Sequence, residues 1–145
     1  MAENQIPSEK RMLALFKRLQ KLNVNQCPNF ENVISPAQLA LLEEVANHPG
    51  CGVQEIAENL DLSAPTVSVG ISKLEDRALV KRKPDPADRR AVQFFITDSG
   101  EDLHKKFNQA RLDKFRWLLS GLEEKDQNHL LRLLASALEF AEENN

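Results

Sequence analysis

The side chains best suited to chemistry in this sequence lie between residues 63 and 90, where hydroxyl groups are followed by a cluster of cations. The first group consists of small residues and one lysine within one predicted helix and its cap: Ser63, Ala64, Pro65, Thr66, Ser68, Val69, Ser72 and Lys73. Hydroxyl and ammonium groups donate hydrogen bonds to phosphates and base edges, and an exposed apolar side chain can contact a thymine methyl group. Short side chains also allow close approach. The pattern therefore favours contact with duplex DNA.

The second group is basic and surrounds a predicted hairpin tip: Lys81, Lys83, Asp88, Arg89 and Arg90. Residues 73–90 carry seven basic and four acidic side chains, a net +3, although the whole chain has a formal charge of -3. A guanidinium at such a tip can enter the minor groove, where negative potential is concentrated. Two alternatives stay open. Arg89 and Arg90 could pair with Asp85 or Asp88 in the turn, and the cations at residues 81–83 could protect a strand edge.

Signatures of catalysis and metal binding are missing from the sequence. It contains no Gly-rich phosphate loop, no G-x-S-x-G, no H-E-x-x-H, and no cysteine with a plausible base partner. His48 and Cys51 are three residues apart, but Pro49 and Gly50 between them indicate an ordinary loop. We therefore predict no enzyme activity, no metal and no cofactor. Cys27 has no neighbouring cation that could stabilise a thiolate.

Length and composition indicate one compact domain. The chain has 145 residues, of which 41% are hydrophobic and 28% charged, and only two cysteines. No signal peptide and no apolar run of spanning length is present. These values predict a cytoplasmic protein without disulfides and exclude a membrane-inserted one.

Hydrophobic periodicity and capping residues predict a mainly α fold with a small β-hairpin. The segments are helices at 8–22, 36–47, 54–60, 64–77, 98–120 and 123–142, and strands at 79–82 and 92–97. Ser35 and Gln38 form a capping box at the start of the second helix. Leu62 is expected to fill the corner between the two short helices, and Ala78 to share the buried face of the helix before it.

The last helix carries more apolar surface than one neighbour could cover. We expect the first, fifth and sixth helices to meet a second copy of the chain. The dimerisation residues predicted from these faces are Leu13, Phe16, Leu130, Leu134 and Leu138.

Two short helices followed by a basic hairpin are typical of a winged helix-turn-helix. The residues resemble the MarR family of bacterial transcription regulators from about Ser35 to Gly100. Its wing signature is matched by residues 80–92, and its Leu-Thr-x-x-Gly helix start by Ile96-Thr97-Asp98-Ser99-Gly100. The resemblance implies that Asp88 and Arg90 shape and present the wing, with Arg90 as the minor-groove finger. It also implies that residues 63–73 begin the recognition helix.

What the resemblance implies for function is a homodimeric DNA-binding protein. Family members have intertwined terminal helices, and many release DNA when a small aromatic acid, an oxidant or a metal reaches the cleft between the two regions. Many relatives carry an arginine at the position of Val69 and a basic residue at that of Ala64, so their base preferences do not transfer.

We therefore predict a ligand-responsive repressor that binds a pseudo-palindromic duplex operator, with a small aromatic effector. Residues 35–97 would bind DNA, and residues 8–34 and 98–145 would form the dimer. Two alternatives remain: a winged-helix module that binds another protein, and a regulator that senses thiol oxidation through Cys27.

Overall fold

The computed structural model describes residues 6–22 and 33–145 and is mainly helical, as predicted. Six helices and one two-stranded sheet make up this part of the chain: α1 (Ser8–Lys21), α2 (Pro36–Asn47), α3 (Val53–Leu60), α4 (Ala64–Asp76), β1 (Val80–Pro84), β2 (Val92–Ile96), α5 (Asp98–Leu119) and α6 (Glu124–Glu143). The chain divides into two compact units, and the division falls within α5, after Arg111.

Side-chain caps determine where the helices of the first unit begin. The Ser35 hydroxyl accepts a hydrogen bond from the Gln38 backbone N–H at 3.2 Å, and the Gln38 side-chain oxygen accepts one from the Ser35 N–H at 3.1 Å. The predicted capping box is therefore confirmed. Pro36 occupies the first turn, where no intrahelical partner for its nitrogen is needed.

The core of the first unit is formed by the apolar faces of α2, α3 and α4. Its most deeply buried side chains are Leu42, Val45, Ile56, Val67, Ile71 and Leu74. Each contributes roughly 1.5–3 kcal/mol through burial. Since α3 has only eight residues, it is too short to be stable without this packing. Core packing therefore holds α3 and α4 in their mutual arrangement.

Two predicted packing details are wrong. Leu62 is 40% exposed and does not fill the corner after α3. There, Asp61 takes a positive φ of 52° and the Leu62 N–H bonds to the Ala57 carbonyl, so the backbone itself closes the turn. Ala78 is exposed, with a φ of 57°, because α4 has already ended at Asp76. Its left-handed conformation removes it from the helix face that periodicity predicted.

The hairpin is antiparallel, with Val80 opposite Ile96 and Pro84 opposite Val92. Strand β1 ends at Pro84, two residues beyond the predicted Arg82. Proline is tolerated there because its missing N–H falls at the end of the strand. The loop is limited to residues 85–91. The Phe94 N–H donates to the Cys51 carbonyl at 2.9 Å, which attaches β2 to the segment after α2.

The start of α5 is fixed by Thr97 and Gly100. The Thr97 hydroxyl accepts a hydrogen bond from the Gly100 N–H at 3.0 Å and donates one to the Ala78 carbonyl at 2.6 Å. A Cβ at position 100 would lie only 2.1 Å from the Leu79 carbonyl oxygen. Glycine is therefore required for this close approach.

The second unit, Leu112–Asn145, contains the end of α5 and all of α6. The Gln127 amide donates to the carbonyls of Leu119 and Leu122 at 3.0 and 3.1 Å and so closes the turn between the two helices. In α6 no residue is buried, and the same holds for α1. Within the described ranges, no helix is long and apolar enough to cross a membrane.

Candidate nucleic-acid interface

The outer face of α4 presents the small polar residues that the sequence singled out. Ser63, Pro65, Thr66, Ser68, Val69, Ser72 and Lys73 are exposed, and Ala64 is half-buried. The opposite face holds Val67, Ile71 and Leu74, each at most 1% exposed. Because that face is fixed in the core, the polar face is the one available to a ligand. Contact of these residues with DNA stays a prediction.

Two hydroxyls at the start of α4 interact with each other. The Ser63 hydroxyl accepts a hydrogen bond from the Thr66 backbone N–H at 3.2 Å, and its oxygen lies 2.7 Å from the Thr66 side-chain oxygen. Ser63 therefore acts as the N-cap, and its hydroxyl is already engaged. Ser68 and Ser72, one turn apart on the same helix, are exposed hydroxyl-bearing residues further along this face.

Helix α4 lies close to α2 at Gly70. A Cβ at this position would be 2.2 Å from the Leu41 Cδ1 atom. An open cavity of about 420 Å³ lies next to this contact and is lined mostly by apolar atoms. Its lining residues come from α2, from α4 and from the end of α3: Ser35, Ala37, Gln38, Ala40, Leu41, Leu60, Leu62, Thr66, Val69, Gly70 and Lys73.

The hairpin tip is shaped by two aspartates. The Asp85 carboxylate accepts a hydrogen bond from the Ala87 N–H at 2.8 Å, and the Asp88 carboxylate accepts one from the Arg90 N–H at 2.9 Å. These bonds use backbone donors. Among the described residues, neither the Arg89 nor the Arg90 guanidinium forms an ion pair. The alternative of a turn ion pair with Asp85 or Asp88 is therefore wrong in this structure.

At the base of the hairpin, the three consecutive cations have different surroundings. Lys81 is exposed. Arg82 donates two hydrogen bonds to the Glu75 carboxylate, from Nε at 2.7 Å and from Nη2 at 2.5 Å, and this pairing raises the pKa of the guanidinium. The Lys83 ammonium lies 5.1 Å from the centre of the Phe95 ring. Arg82 is thus already occupied, which the sequence interpretation missed.

The thiol of Cys51 is in an environment that disfavours reaction. The residue is 1% exposed, and burial, together with the charges of Glu55 and Glu44, raises the pKa of the thiol to about 11. His48 is bonded through Nδ1 to Glu44 at 2.9 Å. The part of the chain that the structure describes holds no group of three or more metal-ligating side chains. Cys27 lies outside the described residues.

Helices α3 and α4, joined by a tight turn and followed by a two-stranded hairpin, define a winged helix-turn-helix protein. A family model described as "MarR family" matches residues 34–92. The chain belongs to the MarR family of transcriptional regulators.

Two curated relatives from Bacillus subtilis support this assignment. The "HTH-type transcriptional repressor MdtR" is 28% identical over 137 residues, which cover 92% of this chain and 88% of the relative. The "Uncharacterized HTH-type transcriptional regulator YkoM" is 30% identical over 107 residues, which cover 74% of this chain and 70% of the relative.

A solved structure supports the fold. The crystal structure of Streptococcus pneumoniae FabT in complex with DNA aligns with a TM-score of 0.73 over 94% of this chain and 96% of FabT. The identity is 16%, so this likeness concerns the arrangement of helices and hairpin.

Proposed function

We propose that this chain represses transcription by binding, as a homodimer, to a pseudo-palindromic duplex operator. The recognition helix α4 lies in the major groove, and the wing, residues 80–96, contacts the adjacent minor groove. The observation that carries this proposal is the exposed, small and polar face of α4 on a helix whose other face is fully buried. The relative MdtR is named a repressor, and FabT was crystallised with DNA.

The homodimer is supported by apolar side chains that a single chain leaves exposed. On α1, Leu13 and Phe16 are both 53% exposed; on α6, Leu130, Leu134 and Leu138 are 45%, 43% and 53% exposed. An exposed apolar helix face of this kind, on α1 as on α6, marks an interaction site. A two-fold dimer presents two recognition helices, so we expect half-sites about one helical turn apart.

Base selection on α4 is assigned to Val69 and its polar neighbours. Val69 is 57% exposed, between Thr66 and Lys73 along the helix. A branched apolar side chain in the major groove favours contact with the thymine methyl group, while the flanking polar groups bond to base edges or phosphates.

Control by a small aromatic effector is the second part of the proposal. The cavity beside α4 has a volume within the usual range for ligand pockets, and Thr66, Val69 and Lys73 line it. A ligand bound there would contact residues assigned to DNA, and the two would compete. Titrating the DNA complex with small aromatic carboxylates tests this: release of the duplex supports it, and binding of the acid without release contradicts it.

We also propose that the protein acts in the cytoplasm, catalyses no reaction and uses no cofactor. A regulator that acts by occupying an operator needs only reversible binding to DNA.

The test compares two lysines of equal charge. Lys73→Gln removes a cation from the proposed interface, and Lys106→Gln removes one from an exposed position on α5. Binding to a duplex from the gene's own upstream region is measured by fluorescence anisotropy over a salt series. The slope of log K against log salt is negative, and losing one phosphate contact makes it less negative by about 0.9. We expect this change for Lys73→Gln alone; equal slopes in both variants would contradict the placement of α4 on DNA.

A further inference from the structure

A bidentate ion pair connects the end of the recognition helix to the base of the wing. Glu75 lies in the last turn of α4, and Arg82 is the third residue of β1. Both carboxylate oxygens are used, one by Nε at 2.7 Å and the other by Nη2 at 2.5 Å. We call this pair the helix-wing clamp.

We propose that Glu75 and Arg82 are positioning residues for DNA binding, which hold the wing at a fixed angle to the recognition helix without touching DNA themselves. This inference rests on the proposed function, because it concerns how the same surface is assembled.

The clamp makes more contacts than an ordinary surface ion pair. The Glu75 side chain is only 20% exposed, although that of Arg82 is 55% exposed. The guanidinium carbon also lies 5.8 Å from the centre of the Phe94 ring, and Phe94 is paired directly across the hairpin from Arg82. Phe94 itself is 3% exposed. Two parallel hydrogen bonds and a ring contact fix both position and orientation, which a single flexible pair does not.

The joint that the clamp spans is a short turn with a strained residue at its centre. Three residues separate α4 from β1, and the middle one, Ala78, has a φ of 57°. An L-residue other than glycine, asparagine or aspartate rarely adopts this left-handed region, because its Cβ approaches the following carbonyl. Two backbone hydrogen bonds hold this turn, from the Ala78 N–H to the Glu75 carbonyl at 2.8 Å and from the Leu79 N–H to the Leu74 carbonyl at 2.9 Å. The direction of β1 beyond the turn depends also on tertiary contacts, and the clamp is one that connects the two elements directly.

A small change of angle at the base of the wing is enlarged at its tip. From Arg82 to Asp85 the strand advances roughly 10 Å. A rotation of about 10° at the base thus moves the tip by about 2 Å, which is enough to break a hydrogen bond. The tip carries Arg89 and Arg90, whose contribution to binding depends on this position.

The direction in which one substitution changes the affinity for DNA distinguishes a positioning role from a simple effect of charge. Glu75→Gln removes a negative charge near the DNA and releases Arg82, so by electrostatics alone it should strengthen binding. The proposal gives the opposite result: affinity for the operator falls by about tenfold, within the range of coupling between contacting residues. Asp76→Asn is the matched control, since it removes the neighbouring exposed carboxylate. The control is expected to bind as tightly as wild type, or slightly more tightly.

A double-mutant cycle with Arg90→Ala separates positioning from loss of folding. If Glu75 acts through the wing tip, Glu75→Gln weakens binding by less than about threefold once Arg90 is gone. Thermal unfolding of each variant shows that the fold is retained. Equal losses with and without Arg90, or a Glu75→Gln variant that binds as tightly as Asp76→Asn, would overturn the proposal.

A measurement without DNA keeps this inference distinct from the proposed function. Hydrogen exchange of the backbone amides of residues 80–83 is compared between Glu75→Gln and Asp76→Asn. Faster exchange in Glu75→Gln alone supports the clamp, and identical exchange overturns it, whether or not DNA binds. If wild type shows no preference for its upstream duplex and Arg90→Ala binds equally, the proposed function is wrong, and the role of the clamp in DNA binding falls with it.

Discussion

Replacing Gly100 by alanine tests how closely α5 must approach the segment between α4 and β1. An added methyl group would lie 2.1 Å from the Leu79 carbonyl oxygen and 2.8 Å from Ile96 Cγ1. Both distances are more than half an ångström short of ordinary contact, so α5 has to move away. The movement lengthens the bond from the Thr97 N–H to the Leu79 carbonyl, now 3.1 Å.

The size of the effect follows from three terms. Overpacking a rigid contact costs about 1–3 kcal/mol, and weakening a backbone hydrogen bond costs about 1 kcal/mol. Alanine in a helix recovers about 0.8–1 kcal/mol relative to glycine. The free energy of unfolding should therefore fall by about 1–3 kcal/mol, a substantial share of a typical stability of about 5–15 kcal/mol.

Urea denaturation followed by far-UV circular dichroism measures this change at one fixed protein concentration, because dimerisation contributes to stability. With a typical slope of about 2 kcal/mol per molar, the midpoint should shift downward by roughly 0.5–1.5 M. Gly121→Ala is the control: its Cβ would meet nothing closer than 3.7 Å, and Gly121 has no positive φ. Equal midpoints for the two variants would refute the close-approach argument.

Three further substitutions test other parts of the account. Arg90→Ala should weaken operator binding and make the slope of log K against log salt less negative by about 0.9, as measured by anisotropy; an unchanged slope would contradict the wing assignment. Leu134→Glu should dissociate the dimer, because it places a charge in a buried apolar interface, whereas Asn128→Glu on α6 should leave the dimer intact. Sedimentation showing that both variants remain dimeric would disprove the placement of Leu134 in the dimer interface. Ala78→Gly should raise the unfolding free energy by about 0.5–1 kcal/mol, since glycine relieves the left-handed strain; denaturation showing a loss would count against that strain.

Local signals in the sequence predicted the fold well. Ser35 and Gln38 are three residues apart, and their reciprocal bonds depend only on the first turn of α2, so the pattern identified the helix start. The outer face of α4 was predicted for a similar reason: Val67, Ile71 and Leu74 repeat at helical spacing and define the buried side.

Features that depend on the joint between elements could not be predicted in this way. Alanine favours helices, so nothing in the sequence indicates that Ala78 leaves α4 with a positive φ. The pairing of Glu75 with Arg82 follows from that turn, because the turn directs β1 back along the end of α4. Opposite charges seven residues apart were a signal, but only the geometry of the joint shows that they meet.

Uncovered apolar side chains lie on α1, α6 and the C-terminal part of α5, the helices that the sequence assigns to contact with a second copy. In the described residues of α1 and α6, none is buried. The residue types indicate that the faces require a partner, whereas the identity of that partner follows from the family to which the chain belongs.

The most direct test of the central claim is the specificity of DNA binding. Fluorescence anisotropy compares a duplex from the gene's own upstream region with a scrambled duplex of equal composition, from low to physiological salt. A sequence-reading regulator should bind the upstream duplex tightly, with a specificity ratio of about 10³ or more and a steep salt dependence. Equal and weak binding to both duplexes would contradict this claim and would favour a protein-binding role for the same fold.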